Sequence, residues 1–257
     1  MAGPTLRALA CRRPVLGTFV KLPRPEVVDV LAAAGLDFLI CDTEHAQIDE
    51  REARTVIQAG RSAGIPVVVR VASLDPGQLN RYLEAGADGI QLSGVTTAVE
   101  AERLNRSLRY PPAGQRGLSL AQPAARYGAT PVREYLDTSN NETLGIGQLE
   151  SDRYDDPLDT IMAGLDIAFV GPMDLSVDLG VPGQTQAPAV VAKIAEIEDA
   201  ARTTETPLGI FAANAADARR AIGAGYRYVA VGSDLAVLAA AAKDQSAALV
   251  EAVGDGG

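Results

Sequence analysis

The sequence predicts a (β/α)8 barrel of the TIM type, with residues 1–257 forming one barrel domain. Three observations carry that prediction. An Ala-Gly motif followed by two variable residues and an apolar run recurs four times, as AGLDFLICD from Ala34, AGADGIQLS from Ala85, AGLDIAFVG from Ala163 and AGYRYVAVG from Ala224. Each Gly follows an amphipathic stretch, where a left-handed residue ends a helix, and each apolar run has the bulk of a strand buried on both faces. Four further runs, at 15–21, 66–71, 143–150 and 207–214, have the same character and bring the strands to eight. Finally, 257 residues is the size of one such barrel, about 250 residues.

Helical stretches alternate with these runs at 25–34, 50–63, 76–85, 98–106, 157–163, 188–203 and 215–224. The rival architecture, an open doubly wound sheet, usually carries a glycine-rich phosphate loop after a strand. None is present, and the Gly223-x-Gly225 pair precedes a strand instead. The connection 109–141 is read as a long loop of functional interest. The Ala- and Leu-rich tail 233–253 is a helix that either closes the barrel or packs on a second subunit.

Composition narrows the function. Lys plus Arg is 23 against 33 for Asp plus Glu, a net charge of −10, which disfavours nucleic acid and anionic membrane surfaces as partners. The longest apolar run, 235–242, is far short of the ~20 residues of a membrane span. The first residues lack the apolar centre of a secretion signal, and two cysteines make no disulfide framework, so the expected location is the cytoplasm. One histidine and two cysteines cannot build a zinc cluster of Cys and His ligands.

Barrel enzymes carry their chemistry at the C-terminal ends of strands. There the sequence places Asp42, Glu44 and His45 after the second strand, Arg70 after the third, Gln148 and Glu150 at the fifth, and Pro172 and Asp174 after the sixth. Glu150 and Asp174, on neighbouring strands, suit a hard divalent cation with a water-rich shell, although Asp174 by itself also reads as a helix cap. His45 is either structural or a general base oriented by Asp42. Arg70 ends a buried run and needs an anion, either Asp42 or Glu44 or a substrate oxyanion. Asp152, Asp155, Asp156 and Asp159 read as a solvated helix start, and Cys41 as core.

With these motifs in view (DTEHA at 42–46, VVVR ending at Arg70, RYPPAGQRG at 109–117, QLE at 148–150 and FVGPMDLSVDLG at 169–180), the chain resembles the metal-dependent class II pyruvate aldolases of the HpcH/HpaI family over about residues 16–238. The resemblance implies a divalent metal (Mg2+, Mn2+ or Co2+) held by Glu150 and Asp174. Pyruvate or its enolate would chelate that metal beside Gln148, with Arg70 on the ketone oxygen. A His45–Asp42 pair acts through water as acid and base, Glu44 supports it, and Pro172 and Phe211 also bind substrate. Glu84 stands where the family's acid reaches a neighbouring site. The resemblance further implies a homo-oligomer, hexamer or trimer, that exchanges the C-terminal helix. Departures from the family pattern are Ser93-Gly94 after the fourth strand, Glu84 in place of Asp, and Leu118-Ser119 after RG.

The expected activity is that of a carbon–carbon lyase, cleaving a 4-hydroxy-2-oxo acid reversibly to pyruvate and an aldehyde. The alternatives are related enolate chemistry (citramalyl- or malyl-CoA lyase, oxaloacetate decarboxylase), a Schiff-base aldolase, for which Lys21 is the lysine near a strand end, and a keto-acid-binding barrel without catalysis.

Overall fold

The computed structural model describes residues 5–254. Eight parallel strands close in sequence order, β1 (Val15–Val20), β2 (Phe38–Asp42), β3 (Val67–Val71), β4 (Gly89–Leu92), β5 (Leu144–Leu149), β6 (Ile167–Val170), β7 (Leu208–Ala212) and β8 (Tyr228–Ser233), with β8 pairing back to β1. Helices α1 (Leu6–Arg12), α2 (Pro25–Ala33), α3 (Glu50–Ala63), α4 (Pro76–Ala85), α5 (Ala98–Leu108), α6 (Val132–Glu142), α7 (Leu158–Met162), α8 (Pro172–Asp178), α9 (Pro188–Thr204), α10 (Ala215–Gly223) and α11 (Asp234–Gly254) complete the described chain.

The repeat has a physical explanation that the sequence reading reached only in part. In three copies the aspartate at the fourth position accepts a hydrogen bond from the first backbone N–H groups of the neighbouring strand: Asp37 from Leu16 at 2.9 Å, Asp88 from Val67 at 2.9 Å and Asp166 from Gly145 at 2.7 Å. Each junction thus ends a helix and sets the register of the adjacent strand pair. Gly35, Gly86 and Gly225 are left-handed, as expected of helix stops. Gly164 is kept for a different reason, because a Cβ there would crowd Ala101 of α5.

Two buried layers result. Outside the sheet, helices cover residues such as Leu39, Cys41, Val69 and Ile90. Inside, Phe38, Ile40, Val68, Ile146, Phe169 and Tyr228 fill the barrel, and α1 plugs its lower end with Leu6 and Ala10. Phe38 stacks on Tyr228 at 4.0 Å between ring centroids, and Phe169 meets Tyr228 edge-on at 6.0 Å. Gly17 admits the Phe38 ring, which a Cβ at that position would overlap.

Three expectations are corrected. The 109–141 connection is not one long loop. Its second half is α6, and its first half is ordered by Tyr110, Tyr135 and Arg116, the phenols 3.0 Å apart and the guanidinium 4.6 Å from the Tyr110 ring centroid. It follows α5 and precedes β5, so it leaves from the N-terminal side of the strands, away from the catalytic rim. The tail helix does not close the barrel: every side chain from Leu235 to Val250 is exposed. The acidic cluster is not simply a helix start, because Asp156 accepts from Ala98 N at 2.8 Å and so caps α5. Among the described residues no helix is long and apolar enough to cross a membrane.

The close approach at Gly17 gives a direct test. Gly17→Ala should destabilise the protein by about 1–3 kcal/mol, the usual cost of overpacking, read as a lower urea midpoint. Adding Phe38→Leu should recover part of that loss, and additive losses in the double variant would disprove the steric account.

Candidate active site

The C-terminal ends of the strands enclose a cavity of about 360 Å³, within the range of small-molecule sites. Its wall includes Lys21, His45, Arg70, Gln148, Asp174 and Phe211. The barrel therefore brings together residues more than a hundred positions apart in sequence.

Asp42 is the centre of one half. It is wholly buried at the end of β2. Arg70, its register partner on β3, donates Nε to Oδ1 at 3.0 Å and Nη2 to Oδ2 at 2.7 Å. Lys21 Nζ donates to Oδ2 at 2.6 Å, and the backbone N–H groups of Glu44 and His45 donate to Oδ1 at 3.2 and 3.1 Å. Burial alone would raise this carboxyl, but the Arg70 guanidinium and the Lys21 ammonium hold it well below the usual carboxylate range.

That crowding leaves no direct bond between Asp42 and the His45 ring. Asp42 binds the His45 backbone, not its imidazole. The ring is largely exposed, and its Nε2 lies 3.7 Å from Glu44 Oε2. Glu44 is the shared anion here. It also faces Arg70 Nη1 at 3.4 Å and accepts the Ser93 hydroxyl. Ser93, read from sequence only as a departure, thus anchors the carboxylate that faces both His45 and Arg70. Arg70 is paired with Asp42, one of the anions that the sequence offered it, and it also lines the cavity.

The second half is anionic. Glu150 follows β5. Its Oε1 accepts from Gly94 N at 2.9 Å, and its Oε2 accepts from Gln148 Nε2 at 2.7 Å. Gln148 is in turn held by Gln91 Nε2 at 3.0 Å. Gly94 is left-handed (φ 59°), a conformation that lets its N–H face Glu150 and that few other residues adopt. Asp174 lies in the first turn of α8, where Gly171 occupies the cap position, so its reading as a cap fails. Burial and then the negative charge of Asp174 push Glu150 up to about 7.

These residues fit a divalent cation. The donors of Glu150 are neutral, its charge and that of Asp174 reinforce each other, and the described residues give the Asp174 carboxylate no ion pair. A Cβ at Gly171 would run into Glu150 Oε2, so the space beside that oxygen depends on glycine. Oxygen-only donors suit Mg2+, Mn2+ or Co2+. No cluster of three or more His, Cys, Asp or Glu surrounds one point among the described residues, so the rest of a coordination shell would come from water or substrate.

Two expected residues lie elsewhere. Pro172, the first residue of α8, lines an adjacent cavity between α8, α9 and α10, which shares Met173, Phe211 and Ala213 with the first. Glu84 is on the outer face, bonded to Asn80 at 3.2 Å, in a groove with Glu50, Arg81 and Tyr127. An acid near the C-terminus of α4 cannot reach the rim of its own barrel. Phe211 lines the main cavity as expected, 5.9 Å from Phe19.

The raised carboxyl of Glu150 sets a pH dependence. Folded protein without metal keeps a proton on Glu150 between its ordinary value of 4.5 and about 7, whereas the unfolded chain releases it, so stability falls as pH rises through that window. Asp88, raised to about 6 by burial, contributes with the same sign. The melting temperature of EDTA-treated protein should drop across that interval, and Glu150→Gln should flatten the drop while leaving the Asp88 part. An unaltered slope in that variant would contradict this assignment.

Comparison with known proteins agrees with the fold. The family model for HpcH/HpaI aldolase/citrate lyase matches residues 15–241. The 5-keto-4-deoxy-D-glucarate aldolase of Citrobacter koseri is 38% identical over 236 residues, 91% of each chain. An HpcH/HpaI aldolase/citrate lyase family protein of Burkholderia cenocepacia superposes with a TM-score of 0.87 at 33% identity, covering 95% of this chain and 99% of that one. The HpcH/HpaI aldolase of Desulfitobacterium hafniense gives 0.87 at 31%, covering 94% of each. With its barrel closed in sequence order and the family model matching residues 15–241, the chain belongs to the HpcH/HpaI aldolase/citrate lyase family and is a carbon–carbon lyase of the aldolase type.

Proposed function

We propose that the chain cleaves a 4-hydroxy-2-oxo acid reversibly to pyruvate and an aldehyde, with a divalent cation held by Glu150 and Asp174. The observation that carries this reading is the meeting, at one cavity, of Arg70, His45 and Gln148 with Asp174, whose charge acts on the Glu150 carboxyl that Gln148 holds. The name of the Citrobacter koseri relative describes a compatible substrate. In a 5-keto-4-deoxy-glucarate the ketone neighbours a terminal carboxylate, and a hydroxyl lies β to that ketone. It is therefore a 4-hydroxy-2-oxo acid when numbered from that end. Cytoplasmic location, a hexamer or trimer, and Mg2+, Mn2+ or Co2+ as the cation belong to the same reading.

The division of labour follows from the geometry. Gln148 and Arg70 orient the keto-acid end. His45, exposed at the cavity mouth, takes the proton from the C4 hydroxyl directly or through water. As the C3–C4 bond breaks, its electron pair forms the C2=C3 double bond of the enolate, the carbonyl pair moves onto the C2 oxygen, and C4 leaves as the aldehyde. Arg70, immobilised by Asp42, faces that charge without reorganising. When bound, the cation supplies Lewis-acid stabilisation of the same charge. Return of a proton to C3 completes pyruvate.

A screen of 4-hydroxy-2-oxo acids for pyruvate release, with and without Mg2+, Mn2+ and Co2+, tests the reading. Glu150→Ala and Asp174→Ala should each lower turnover by about a thousandfold or more, since loss of the Lewis acid removes several kcal/mol at about 1.4 kcal/mol per decade. Full activity of either variant in EDTA would refute the assignment. Ser93→Ala should lower kcat about tenfold, the loss of one hydrogen bond to a charged group, with little change in KM. A loss confined to KM would remove Ser93 from the acid–base half.

A further inference from the structure

We infer that Lys21 is a specificity-determining residue that reads a carboxylate on the aldehyde half of the substrate; this rests on the aldol reading above. In the closed barrel, β1 lies opposite β5. Lys21 follows β1 directly, so its ammonium stands across the mouth from Glu150. A keto-acid end placed between Glu150, Asp174 and Gln148 leaves the rest of the substrate to run toward β1 and β8.

That side of the cavity is otherwise apolar or uncharged, with Phe19, Phe211, Ala213 and Ala236. Lys21, Arg70, Asp42 and Glu44 form a cluster whose formal charges cancel, yet both cations line the cavity and neither anion does. The cluster therefore turns its positive face to the substrate. Arg70 spends Nε and Nη2 on Asp42 and turns Nη1 toward Glu44. Lys21 makes one short bond to Asp42 and a contact of 3.4 Å to the His45 carbonyl. An ammonium has three donors, and the third has no partner among the described residues.

The residue is also pre-organised. The buried carboxylate of Asp234 accepts its backbone N–H at 3.0 Å and that of Leu22 at 2.8 Å, tying the end of β1 to the root of α11. A lysine pinned at both ends loses little further freedom on meeting an anion, and so favours acidic partners over neutral ones.

The experiment condenses pyruvate with acidic aldehydes of two lengths, glyoxylate and succinic semialdehyde, and with neutral glycolaldehyde and butanal, in Mg2+ or Mn2+. Wild type should prefer the acidic member of at least one pair. In Lys21→Met, kcat/KM for that acidic aldehyde should fall at least tenfold more than for its neutral counterpart, mainly through KM. Lys21→Arg should retain the preference, and Lys21→Gln should lose it; these variants also guard against a folding defect in Lys21→Met. Equal losses for acidic and neutral aldehydes would overturn the inference and leave Lys21 as a buttress of Asp42. Borohydride trapping of pyruvate on Lys21 would overturn it by assigning the amine to covalent work. A wild type inactive toward every aldehyde would instead overturn the aldol reading itself.

Discussion

The buried carboxylate of Asp42 is the constraint on which the rest of the rim depends. It is inaccessible to solvent and receives two cations and two backbone N–H groups. Breaking such an arrangement from one side strands a charge, a cost of about 3–5 kcal/mol. The arrangement therefore does more than hold strands together. It fixes Arg70 and Lys21 as cavity walls, shapes the turn that carries Glu44 and His45, and leaves the imidazole free to face the cavity.

The opposite half of the rim follows the reverse logic. Glu150 and Asp174 meet with neutral donors only, so the described protein leaves their charge uncompensated. One half of the mouth is electrostatically satisfied and rigid, and the other carries an unmet demand for positive charge. That asymmetry gives the cavity a direction and distinguishes a keto-acid end from an aldehyde end. Ser93 and Gly94 join the halves, the first bonding Glu44 and the second Glu150.

Much of this was readable in advance. The strand runs and the Ala-Gly junctions are local signals, and a barrel converts the ends of strands into one rim, so Asp42, Arg70, Gln148, Glu150 and Asp174 could be named from position. What was hidden depended on side-chain direction and on spatial neighbours. Nothing local shows that Lys21 crosses to Asp42, or that Asp42 takes the backbone N–H of His45. Pro172 and Asp174 are two residues apart, yet on α8 they line different cavities. The 109–141 segment looked like a loop of functional interest because of its length, although its place after a helix already put it on the face opposite the rim.

The α1 plug carries a kinetic consequence. Leu6 and Ala10 lie against the aromatic floor, and Arg7 is tied to Asp166 at 2.8 Å, so the pocket is blind-ended. A closed floor would make a three-carbon acid bound beneath its co-product the last to depart in cleavage and the first to arrive in condensation.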